Sequence, residues 1–227
     1  MSLKKSSFLK LNKKMADKLR SKAGFSLGEL LAAMLIMLFV GGILTGGLRF
    51  AVREYREAGI AAHSKVLSST LSGILKNELS NTLTVEAGSK IRELEDGWEE
   101  YELKAFFSNG YANGEALSSL YAAEITAGSI KEAEDGKGEL FLGRIDGSDV
   151  SGSFLVGNKT YSELKLKAGA DLSVKLNKHG SDKKEDWELE LFHVDLKIYS
   201  EEGEELLKNS FDVFPLNRSY ISFEEAG

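Results

Sequence analysis

The stretch KAGFSLGELLAAMLIMLFVGGILTGGLRFAV, residues 22–52, decides how the rest of the chain is read. A basic segment ends at Gly24, an apolar run begins at once, and one acid, Glu29, stands near its start. From Leu30 to Leu48 no residue is charged. That run is long enough to cross a bilayer as a helix, which takes about 20 residues. A carboxylate at the edge of such a run costs on the order of a few kcal/mol and asks for a functional reason.

Charge orients the span. Residues 1–24 carry eight Lys/Arg against a single acid, Asp17, which leaves 21 bases against 34 acids in residues 25–227, a formal charge of −13. The overall value of −6 hides this split. By the positive-inside rule the basic leader stays in the cytoplasm and the acidic remainder crosses. A cleaved secretory signal has a shorter apolar stretch and a small-residue site after it. Here Arg49-Phe-Ala-Val-Arg53 follows instead. A plain signal anchor explains the basic flank and the span, but not Gly-Phe-Ser-Leu-x-Glu at their junction. With no cysteine in the chain, the exported part must hold together through an apolar core and sheet hydrogen bonds.

Gly24-Phe25-Ser26-Leu27-Gly28-Glu29-Leu30 resembles the processing site of type IV pilins and of type II secretion pseudopilins. The resemblance implies cleavage by a prepilin peptidase between Gly24 and Phe25, with N-methylation of Phe25. It also implies an assembly role for Glu29 at the fifth mature position. There the carboxylate would meet the terminal amine of a neighbouring subunit and set the register between copies. Paired, such a charge costs far less in an apolar core than it does alone. The further partners implied are other pilin subunits, the membrane assembly platform and membrane lipid, with no cofactor.

The sequence departs from the family at two places. Many members carry a proline deep in the helix, whereas the only proline here is Pro215. Gly41, Gly42, Gly46 and Gly47 stand at the corresponding depth. Gly42 and Gly46 form a small-xxx-small pair suited to close helix packing, and glycines also weaken a helix. Packing and local loosening both remain open. The second departure is Gly28, where a larger apolar residue is usual.

Beyond the span, Ile60, Leu67, Leu71, Ile74, Leu75, Leu79 and Leu83 recur at steps of three, four and seven, the mark of one helical face. The helix is therefore expected to continue to about Leu83 and to lay that face on a sheet. Strands are expected over 99–107, 120–125, 140–145, 171–177 and 187–191, and the last continues through Phe192, Val194, Leu196 and Ile198 in the opposite parity. One extra residue near Leu191–Phe192, a β-bulge, accounts for the slip. Residues 201–205 turn the chain and 206–214 return; 135–138 and 147–152 read as loops. The expected class is α+β, pilin-like: leader 1–24, membrane and assembly helix 25–52, amphipathic continuation 53–83, and an extracytoplasmic β-rich head 84–227.

The head offers little catalytic chemistry, and the chain reads as a substrate of enzymes rather than as an enzyme. His63, His179 and His193 are far apart. Residues 144–149 place two acids in a glycine loop, which reads as a solvated turn before it reads as a calcium site. Trp98 and Trp187 read as core. The loop from Lys178 to Asp186 sets three lysines against three acids, a poor match to the positive surface that nucleic acid needs. The expected function is a structural subunit, minor by the size of the head, of a type IV pilus or pseudopilus. The alternative is a single-pass anchored adhesin or ligand-binding protein that never polymerises.

Overall fold

The apolar run and the packing stripe belong to one helix, α1 (Leu27–Ser80). The computed structural model describes residues 26–94, 97–108, 117–126, 129–146 and 149–223; Gly24 and Phe25 lie outside them. The chain divides into two units, one ending at Arg56 and the other beginning at Glu57. In the first, every described side chain is exposed, including Leu35, Phe39 and Ile43.

In the second unit α1 buries Ser64, Leu67, Ser68, Leu71, Ser72, Leu75, Glu78 and Leu79. The four leucines are at most 2% exposed, and burying each contributes about 1.5–3 kcal/mol. Ile60 shares this angular face but precedes the buried segment, which begins at Ser64, and is exposed. The helix stops at Ser80 and not at Leu83 because Ser80-Asn-Thr82 offers its carbonyls other donors. Ser80 Oγ and Asn81 Nδ2 both donate to Asn77 O (3.1 and 2.8 Å), and Thr82 Oγ1 donates to Glu78 O (3.2 Å). The Leu216 N–H caps Ser80 O at 2.8 Å. Leu83 sits in the first strand.

The strands are β1 (Thr82–Glu93), β2 (Trp98–Ser108), β3 (Ser119–Thr126), β4 (Ser129–Glu132), β5 (Glu139–Asp146), β6 (Asp149–Phe154), β7 (Leu166–Asn177), β8 (Glu188–Ser200), β9 (Glu205–Val213) and β10 (Tyr220–Phe223). A short helix, α2 (Asn158–Leu164), precedes β7. Six strands form one sheet in the order β10-β1-β2-β7-β8-β9, and four form another in the order β4-β3-β5-β6. All pairings are antiparallel except β1 with β10. The architecture is α+β, a long apolar N-terminal helix with a large, mostly antiparallel β domain.

The leucine stripe joins one apolar core with Val85, Phe106, Val174, Leu176, Phe192, Val194, Leu196 and Ile198. The expected bulge is present. Lys175 pairs with Leu191 and Leu176 with Leu189, so Glu190 is the extra residue that keeps Leu189 and Phe192 on the core side. Two isolated bridges, Phe106↔Ser118 and Gly138↔Ala168, tie into the smaller sheet and the turn before β5. Only glycine fits at 138, since a Cβ there would lie 2.3 Å from the Ala123 carbonyl oxygen.

Of the loop expected over residues 147–152, 147–148 lie outside the described residues and 149–152 open β6. Asp149-Val-Ser-Gly-Ser-Phe154 lacks the β-branched density of a strand. It is held by its pairing with β5, where Gly152 faces Gly143. β1, β4, β10 and α2 also went unread. β10 has four residues and takes its partner from the far end of the chain, a contact that no local pattern reports.

Candidate functional site

Among the candidate residues, Glu29 has the most specific geometry. Ser26 precedes the first residue of α1, which places Glu29 three positions into the helix. The Glu29 N–H donates to Ser26 Oγ (3.3 Å), while the Ser26 N–H and hydroxyl donate to Glu29 Oε2 (3.2 and 3.3 Å). This is a capping box, in which serine and glutamate each satisfy a backbone donor of the other. The carboxylate also lies at the positive end of the helix dipole. The signal was present in the sequence as Ser-x-x-Glu ahead of an apolar run, and the resemblance drew the reading to the acid alone.

From Leu27 to Val52 the side chains of α1 are exposed among the described residues, and the run is long and apolar enough to cross a membrane. Gly41, Gly42, Gly46 and Gly47 lie within unbroken helix, and an added Cβ at any of them would meet nothing within 4 Å. Packing among the described residues therefore does not require them. Thr45 Oγ1 donates to Gly41 O at 2.7 Å, so the hydroxyl is satisfied within the apolar run.

In the β domain, the ionisable groups mostly answer one another. Glu99 and Glu100 are adjacent on β2 and almost fully buried. Glu99 Oε1 accepts from Lys90 Nζ (2.6 Å) and Lys178 Nζ, and its Oε2 accepts from Tyr101 OH (2.7 Å). Burial alone would raise the Glu99 carboxyl, but the Lys178, Lys90 and Tyr101 hydrogen bonds outweigh it and hold the group at about 2. Glu100 accepts from Ser173 Oγ (2.6 Å) and Arg92 Nε, which together overcome burial and lower it too. Glu78, fully buried on α1, accepts from Ser108 Oγ, while its Oε1 has no hydrogen-bond partner among the described residues.

A groove of about 460 Å³ on the β2–β7–β8 surface is lined by Arg92, Glu100, Asp171, Ser173, His193 and Asp195. Arg92 pairs with Glu100, Asp171 with Lys197 (2.7 Å), Asp195 with Lys208 (2.9 Å) and His193 with Asp212 (2.6 Å). His63 is exposed on α1 and His179 pairs with Glu188 at 3.0 Å, so the three histidines stay apart. Among the described residues no group of three or more His, Cys, Asp or Glu could hold a metal ion. Asp146 and Asp149 face each other across the β5–β6 turn.

Trp187 is buried against Tyr101 and Phe223, with ring centroids 6.1 and 5.6 Å apart. In the lysine loop, Lys178 is taken by Glu99 and Lys184 lies over the Phe223 ring at 4.1 Å.

Comparisons with family models, with curated proteins and with solved structures found no match to this chain.

Proposed function

We infer that the chain is a structural subunit of a type IV pilus or pseudopilus, processed at Gly24-Phe25 and packed into a filament through α1. The observation that carries this reading is the junction motif: in the sequence Gly24-Phe25-Ser26 and Glu29 directly precede an apolar helix whose side chains are exposed among the described residues. An exposed apolar segment of this length calls for lipid before assembly and for other helices after it. A helix followed by an antiparallel-rich domain suits the family's architecture. The sheet is larger than in a typical pilin head, which suits a specialised or minor subunit. The reading rests on motif and architecture together. Its implied partners are the prepilin peptidase, the assembly platform and neighbouring subunits.

Mass spectrometry of the mature terminus tests processing, with methylated Phe25 expected. An intact leader would favour the permanent anchor instead. Glu29→Gln tests assembly, because glutamine preserves the capping box but carries no charge. The variant is expected to insert into membrane normally and to be absent from sheared filaments. Incorporation at the parent level would refute the register role.

A further inference from the structure

The apolar run of α1 ends on arginine. The uncharged residues from Leu30 to Leu48 rise about 28 Å at ~1.5 Å per residue, close to the ~30 Å hydrocarbon thickness of a bilayer. Arg49, Arg53 and Arg56 follow at steps of four and three, all in unbroken helix and all exposed. At ~100° per residue they fall within an arc of about 60°. Glu57 stands one turn beyond Arg53, and both residues already take part in an interaction, which leaves further guanidinium donors for a phosphate. They climb about 10 Å along the axis, through the layer where headgroups lie. Phe50 and Tyr55, both exposed, flank them as interfacial aromatics do.

Two features of the sequence single this cluster out. Positive charge here, on the side away from the leader, runs against the bias that orients a span, so topology does not explain it. The residue type is also selective. The leader's eight bases are seven lysines and one arginine, whereas all three bases of residues 49–56 are arginine. The guanidinium fork matches a phosphate bidentately, while an ammonium acts as a point charge.

We propose that Arg49, Arg53 and Arg56 form a binding stripe for the headgroups of anionic phospholipids at the extracytoplasmic interface, fixing the depth and rotation of α1 in the membrane. Arginines at that level bury their stems along the apolar boundary and hold their heads among the phosphates. The proposal rests on the membrane span alone. A chain shown to be a permanent anchor would carry the stripe equally.

The test uses the full chain in vesicles of phosphatidylcholine with a minor fraction of phosphatidylglycerol. Native mass spectrometry counts the lipid of each kind retained on the protein. Because the chain has no cysteine, Tyr55→Cys also accepts a single nitroxide label that reports depth. The parent is expected to retain phosphatidylglycerol above its share of the vesicle. Combined Arg49→Gln, Arg53→Gln and Arg56→Gln is expected to abolish that enrichment, returning phosphatidylglycerol to its share of the vesicle, and to move the label, with membrane insertion kept. The corresponding triple lysine variant, which folds and inserts with the same charge, is expected to fall between the two. Equal enrichment in the parent and the glutamine variant would overturn the proposal, as would failure of the parent to insert. Enrichment seen only at high protein density, with cross-links between copies at these positions, would assign the arginines to another chain's acids and overturn it too.

Discussion

Ser26 and Glu29 satisfy each other at the start of α1. In the single chain the carboxylate is held by its own helix start, which lowers the cost of a charge at the edge of an apolar run. The acid was legible from its place in the motif, and the serine from its spacing. Glu99 and Glu100 were not legible. Two consecutive acids in a strand read as solvated, and their burial depends on Lys90, Arg92, Ser173 and Lys178, which the fold brings from β1, from β7 and from the residue after it. The Lys178, Lys90 and Tyr101 hydrogen bonds outweigh burial and hold the Glu99 carboxyl at about 2, well below the usual glutamate range. The fold therefore favours the ionised form, and the resulting stability is whole above about pH 4.5 and drains away as pH falls toward 2. Glu99→Gln is expected to lower stability near neutral pH by about 1–3 kcal/mol, since hydrogen bonds to a charged group are lost. Thermal melts from about pH 6 to about pH 2 should show parent and variant converging at the acid end.

At the scale of elements, the leucine period carried the helix reading well until polar chemistry intervened. Leu67, Leu71, Leu75 and Leu79 are core as read, and the same period ran one turn too far, into β1. It also hid that Ser64, Ser68, Ser72 and Glu78 share the buried face. Ser72 there accepts from Asn209 Nδ2 of β9 at 3.0 Å, a contact that periodicity cannot foresee. Leu71→Ala is expected to destabilise the β domain by about 2–5 kcal/mol through transfer and cavity costs. Ile60→Ala, exposed on the same helix, should stay within about 0.5 kcal/mol. Denaturant melts of both variants provide the check. Strands with clean alternation, β7 and β8 above all, were legible down to the bulge. β4, β6 and β10 were not, because they are short or glycine- and serine-rich and exist through their partners.

For the whole molecule, the apolar segment of the first unit and the closed core of the second make different demands on solvent. A chain starting at Glu57 keeps every residue of the leucine stripe and its core. It is expected to remain in the supernatant without detergent, with a cooperative melt, whereas the full chain partitions with membranes or detergent. Sedimentation after detergent removal measures the difference. The class of fold was legible because hydropathy and alternation are local. The strand order was not, because the main sheet draws its first pairings from opposite ends of the sequence. β1 leaves the helix directly, yet its outer edge is covered only by β10, with Thr84 beside Tyr220 and Ala87 beside Phe223. β10 is thus the latch on the first strand. A growing polypeptide therefore leaves the outer edge of β1 open until β10 emerges far downstream, and closing that edge is a late, long-range step in folding.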